Sequence, residues 1–200
     1  MTPVVTGLIV TALRERKRNR VAVELDGRPW RVLPTDAVVR AGLTVGHPLD
    51  RSTARELARE IRRAKALAAA TRSLAASDRS QRALEQRLAR AGHSAAARED
   101  AIASLARAGA IDDARLAESR AELLARRGYG DAAIRADLRR RQIAPEVAAG
   151  AVAALEPELE RLRRAIENES VTPALLRRLA GRGFSRDTLD EVASSFAFGA

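Results

Sequence analysis

One helical phrase recurs three times along the chain and constrains its fold more than any other feature. Leu84…Leu88…Gly92, Ile134…Leu138…Gln142 and Leu175…Leu179…Gly183 each set an apolar residue, a second one four positions on, and then a residue suited to leaving a helix. A matching pair follows each break, His93-Ser94, Ile143-Ala144 and Phe184-Ser185, and an apolar residue returns thirteen positions after it at Leu105, Leu155 and Phe196. Successive copies begin 50 and 41 residues apart. Self-similarity on that scale predicts a stack of small helical units, none able to bury its own apolar face alone. Such a stack offers a long surface, better suited to gripping something extended than to enclosing a small molecule.

Punctuation residues divide the rest. Val4 to Leu13 is β-prone, Val21, Val23 and Leu25 alternate with Ala22 and Glu24, and Asp26-Gly27 is a two-residue hairpin signal before the return strand Arg28 to Leu33. Trp30 and Val32 are expected on one face of that strand, with Trp30 anchoring a small core. Pro34 ends it, Thr35 or Asp36 caps a short helix stopping near Gly42, and Gly46, Pro48 and Asp50 form a turn. The expectation for residues 1–50 is a three-stranded β-rich domain with one helix.

From Ser52 onward the pattern is helical. Ser52 is read as the cap of a linking helix from Ala54 to Ala76, and Ser80 and Ser94 as starts of the next two. Asp112-Asp113 opens Ala114 to Arg127, with Asp113 read as the cap, and Asp131 caps Ala132 to Arg141. Pro145 begins a helix to Leu155, Pro157 opens the third unit, and breaks fall at Thr172-Pro173 and Gly181-Arg182-Gly183. The fold class is mainly α: tandem three-helix repeats in an elongated curved rod behind a small β-rich domain. The divisions are 1–50 for the β-rich domain, 51–65 for a linking helix, and 66–110, 111–156 and 157–200 for three repeats.

Hydrophobic residues make up 46% of the chain, enough for several small cores in series. The only aromatics are Trp30, Tyr129, Phe184, Phe196 and Phe198, too few for a base-stacking platform. Cysteine is absent, which removes disulfides and thiol chemistry and suits a reducing compartment. The first residues lack a basic and then apolar leader, and no apolar run spans a bilayer, so the chain reads as soluble and cytoplasmic, with no membrane partner. The net charge of +10 is one-ended: residues 1–50 carry +3, residues 51–110 carry +7, and everything beyond balances. That field attracts polyanions without identifying one.

No residue set reads as an active site. His47 and His93 lack convergent partners, the Gly128-Tyr129-Gly130 and Gly181-Arg182-Gly183 stretches lack a following Gly-Lys-Ser or Gly-Lys-Thr, and Asp112-Asp113 is explained by helix capping rather than by a metal. The expectation is no catalytic residue, no metal and no cofactor. Two basic clusters remain as contact candidates. Arg14, Arg16, Lys17, Arg18 and Arg20 crowd the first hairpin loop against Glu15, and Arg135, Arg139, Arg140 and Arg141 lie on the middle helix of the second unit, where Arg135 and Arg139 share a stripe at helical spacing. A phosphate backbone, an acidic protein face and plain solvated surface all fit both clusters.

These residues carry a resemblance. Gly109-Ala-Ile-Asp-Asp-Ala-Arg-Leu-Ala-Glu-Ser-Arg, then Arg127-Gly-Tyr-Gly-Asp, Ile134-x-x-x-Leu138, Gln142-Ile143 and Val152 resemble the RecX family of recombinase regulators, and Arg79-Ser80 followed by Leu84, Leu88 and Gly92 is similar to its first repeat. Departures from the family's pattern are Leu116 for an aromatic, Ser77 for a basic residue, Ala83 for Glu and Gln142 for Gly. The resemblance implies a non-enzymatic, monomeric regulator. Such proteins lodge in the groove of the RecA filament on single-stranded DNA and inhibit its ATP hydrolysis, coprotease activity and strand exchange; the alternative reading of the chain is a helical repeat protein that binds nucleic acid directly.

Overall fold

The structure, a computed structural model, describes residues 8–197, with side chains to Ser195 at that end. The β-prone Val4 to Gly7, the Phe196 side chain and Phe198 lie outside what is described. The chain forms two compact units, residues 1–77 with 84–110 and residues 78–83 with 111–200.

In the first unit, β1 (Leu8–Arg16), β2 (Arg20–Leu25), β3 (Arg28–Pro34) and β4 (Pro48–Leu49) make an antiparallel sheet in the order β3-β2-β1-β4. Four strands replace the three expected, because Leu8 and Ile9 pair with Leu49 and Pro48 where the sequence reads as a turn. The Asp26-Gly27 hairpin forms as expected, with both residues at positive φ. Trp30 falls at a register shift between β2 and β3, so period-two alternation does not carry across it. Leu33, not Val32, is therefore the buried residue beyond the shift, while Trp30 packs partly buried against a core of Val10, Val21, Val23, Leu25 and Leu57.

Short α1 (Thr35–Arg40) starts at Pro34 without a side-chain cap. Long α2 (Arg51–Ala76) starts at Asp50, not Ser52: the carboxylate accepts the Thr53 N–H at 2.8 Å and the Ser52 hydroxyl at 2.7 Å. Those bonds hold the Asp50 pKa at about 2. Helices α3 (Gln81–Arg90) and α4 (Ala95–Arg107) follow, with α4 packed along α2. The remaining helices are α5 (Asp113–Arg126), α6 (Asp131–Arg140), α7 (Pro145–Ala153), α8 (Glu158–Ala165), α9 (Pro173–Gly181) and α10 (Arg186–Ala197).

The recurring phrase is one structural motif three times over. Its apolar pairs, Leu84/Leu88, Ile134/Leu138 and Leu175/Leu179, are all buried. Gly92, Gln142 and Gly183 all adopt left-handed backbone, at φ 80°, 61° and 84°. In each copy the next residue's N–H returns to the second apolar carbonyl: His93 to Leu88, Ile143 to Leu138, Phe184 to Leu179. Each left-handed residue donates one turn back as well, which completes a Schellman closure. Ile143 and Phe184 are buried in the slot after the break, as that closure favours. Gln142 holds a geometry that costs a residue with a Cβ about 1–2 kcal/mol.

The second unit shows how successive copies join. The α3 start is met twice. Gln81 N–H donates to the Asp113 carboxylate at 2.8 Å, and the Ser80 hydroxyl, itself the α3 cap, donates to the Arg141 carbonyl at 2.6 Å. The α6 start repeats this with new residues: Asp131 N–H donates to Glu158 at 2.6 Å, and Gly130 N–H donates to the Arg182 carbonyl at 3.0 Å. A helix N-terminus is thus closed by a carboxylate from the next copy's first helix and by the carbonyl end of its middle helix, both matching the local positive dipole. Gly130 is required there, since a Cβ would overlap the Gly183 carbonyl and Phe184 nitrogen.

Candidate partner surface

The β1–β2 loop is a tight turn of Lys17, Arg18 and Asn19 joining Arg16 to its register partner Arg20, with Arg18 and Asn19 at positive φ. Arg14 is not free, because Glu24 on the neighbouring strand pairs with it at 3.3 Å. Arg16, Lys17, Arg18 and Arg20 are exposed and make no ion pair among the described residues. The five-residue cluster therefore divides. Arg18 and Arg20 line a groove of about 620 Å³ together with Lys65 and Arg72 from α2 and His93 from the end of α3. Lys65, Arg72 and His93 were not singled out as contacts by sequence reasoning. Their helical spacing places Lys65 and Arg72 on one face of α2, but only the fold sets that face beside the hairpin loop.

On α6 the arginines are less available than their number suggests. Asp137 accepts from Arg120 Nε at 2.7 Å, Arg141 Nε at 3.0 Å and Arg140 at 3.2 Å. The Arg120 hydrogen bond, helped by Arg141, holds the Asp137 pKa at about 2 despite partial burial. Arg135 pairs with Asp131 at 3.2 Å. Arg139 alone among the four is exposed with no ion pair among the described residues. The helix therefore presents one open cation and three arginines tied to its own acids.

Asp112 and Asp113 separate in role, and the capping assignment moves by one residue. Asp112 is the α5 cap, accepting the Arg115 N–H at 2.9 Å, whereas Asp113 closes α3. Asp131 is likewise not the α6 cap. Gly130 holds that position, and the Asp131 carboxylate binds Arg161 instead. Buried Arg161 also donates to the Tyr129 and Glu156 carbonyls at 3.2 Å and 2.9 Å, so one guanidinium holds the break before α6. Burial pushes the neighbouring Glu158 carboxyl up, but bonds from Asp131 N–H, Ser185 and Thr188 outweigh it and leave its pKa below the usual value. Asp112, Asp113 and Glu158 are thus occupied in closing helix starts, and Asp131 and Asp137 in holding arginines. No helix among the described residues is long and apolar enough to cross a membrane.

Comparison with known proteins bears on what this surface belongs to. Residues 112–152 match the model of the second three-helix domain of RecX. A crystal structure of a regulatory protein RecX is similar over 94% of this chain and 99% of its own, with TM-score 0.77 and 19% identity. RecX from Lactobacillus salivarius is similar over 68% of this chain and 97% of its own, with TM-score 0.58 and 19% identity. No curated protein sequence matches the chain. The resemblance carried by Asp112-Asp113, the Gly128–Gly130 break and the Ile134–Leu138 helix is shown at the sequence level over 112–152, and the helical-repeat fold over most of the chain.

Proposed function

We propose, from a chain that carries a RecX three-helix domain within a RecX fold, that it regulates a RecA-type recombinase by lodging in the groove of the filament on single-stranded DNA. The match over residues 112–152 carries this reading. In it the chain is a cytoplasmic monomer without catalysis of its own, and it lowers filament ATPase, coprotease and strand-exchange activity. The β-rich region 1–50, the linking helix 51–65 and repeats 66–110, 111–156 and 157–200 are the parts of the grip. Arg16, Lys17 and Arg18 serve encounter, because cationic residues not paired to acids steer association. Arg139, with Arg135 and Arg140 beside it, docks against a protomer, as does the rest of the α6 face.

Filament ATPase measured against increasing amounts of this protein, at two salt concentrations and with binding kinetics alongside, tests the reading. Inhibition by the wild type is expected. Arg135→Glu with Arg139→Glu acts mainly on dissociation, whereas Arg16→Glu with Arg18→Glu slows association and flattens its salt dependence. A wild-type protein that neither binds the filament nor alters its ATPase overturns the reading.

A further inference from the structure

We propose that the groove between the β1–β2 loop and α2 binds the sugar–phosphate backbone of a nucleic-acid strand without regard to base sequence. This goes beyond filament regulation, since it requires no recombinase. Arg18, Arg20, Lys65 and Arg72 converge on one concavity of about 620 Å³, and none of them has an ion-pair partner among the described residues. Asp36 is the single acid on its wall. Four uncompensated cations around a concave surface focus a positive field, which an anion relieves.

The shape of the groove narrows the choice of anion. Lys65 and Arg72 are two helical turns apart, about 10 Å along α2, too far for one small phosphate and suited to successive phosphodiesters. The α2 face between them is alanine, Ala68 and Ala69, so a chain approaches the helix closely. Arginine forks take phosphate oxygens two at a time. No Phe, Tyr or Trp lines the groove, and one imidazole is no stacking platform, so recognition is a matter of backbone charge. An acidic peptide is less well served, because only alanines and Pro34 are there to meet its apolar side chains.

His93 supports this independently. It fills the slot after the Schellman closure where the other two copies bury Ile143 and Phe184, yet it is only half-buried and lies on the groove wall. In the copy that borders the groove, the apolar residue of the repeat is thus replaced by a polar ring facing the ligand space.

The test is fluorescence anisotropy of a labelled oligodeoxythymidine with the full chain alone, from low to moderate salt. Four neutralised phosphates give a log–log salt slope of about −3 for a single strand. Lys65→Glu with Arg72→Glu weakens low-salt binding by about tenfold or more and halves the slope. Arg107→Glu with Arg177→Glu, an equal change of charge outside the groove, stays close to wild type. Should the glutamate pair fail to fold by circular dichroism, Lys65→Gln with Arg72→Gln gives the same slope reading. Wild-type binding by the groove variant, an equal loss in the control, or displacement of the oligonucleotide by polyglutamate at equal chain concentration overturns the proposal. Because no recombinase is present, a failure here leaves the filament reading standing, and failure of filament inhibition leaves this one standing.

Discussion

Among the described residues of the unit built from 1–77 and 84–110, four cationic side chains, Arg14, Arg59, Arg63 and Arg98, have ion-pair partners. Among the described residues of the unit built from 78–83 and 111–200, ten arginines are seen in ion pairs. The difference teaches that arginine content is not the same as available charge. The second unit nearly balances its charges, with 17 arginines against 16 acids, and uses several of them to close helix ends. The first has a surplus with nothing to pair with, so its cations face water and attract whatever anion arrives.

The contrast is broken most severely at Arg161. Arg161→Met leaves the Tyr129 and Glu156 carbonyls without their donor and the Asp131 carboxylate with Arg135 alone, and thermal unfolding should show a loss of about 3–5 kcal/mol. A loss below about 1 kcal/mol would mean the second unit does not depend on its internal charge.

Acid titration sharpens the comparison next. Asp137 is depressed to about 2 in the folded chain, against about 3.9 for an ordinary Asp. Its contribution is therefore fully present above about pH 4 and is lost as pH falls toward 2. Asp137→Asn should be less stable at neutral pH and should flatten that acid limb, followed by circular dichroism against pH.

A smaller effect separates the two aspartates. Asp113→Ala should cost about 1 kcal/mol, with faster amide exchange at Gln81, whereas Asp112→Ala should expose Arg115 instead. Exchange that rises at Arg115 in both variants would restore the simpler reading of Asp113 as a local cap.

The smallest effect is expected in the first unit. Lys65→Glu with Arg72→Glu should shift stability by no more than about 0.5 kcal/mol per site, because neither side chain holds anything in the folded chain. A clear drop in melting temperature would show that the first unit uses its charge structurally after all.

The three phrases, the helix breaks and most helix boundaries were legible because each depends on residues within a turn or two of one another. Gly92, Gln142 and Gly183 were recognisable as exits from their position alone. What escaped was long-range. Asp113 and Gln81 are 32 residues apart, Ser80 and Arg141 are 61 apart, and no local spacing announces either contact. Arg161 sits beside the core residue Leu162 and reads as one more surface arginine until the fold buries it. The groove was half legible, through Arg18 and Arg20, while Lys65 and Arg72 looked like ordinary members of an alanine- and arginine-rich helix. Strand β4 and the shifted face of β3 were hidden because a two-residue pairing and a bulge leave almost no periodic trace.

The way α3 and α6 begin has a consequence for concatenation. Each of these starts is completed by a following copy, through Asp113 and Arg141 or through Glu158 and Arg182. The α9 start shares only the local part of this: the Thr172 hydroxyl accepts the Leu175 N–H at 3.2 Å, as the Ser80 hydroxyl accepts the Ala83 N–H at 3.2 Å. An array lengthened by duplicating the middle copy would thus splice behind α3, where the Gln81 N–H and the Ser80 hydroxyl take up the carboxylate and carbonyl of a successor. A copy appended after α9 would meet Pro173 in the place of Gln81 and Asp131, with no N–H to donate. The order of the copies is directional, and that direction is written in the first residue of each middle helix.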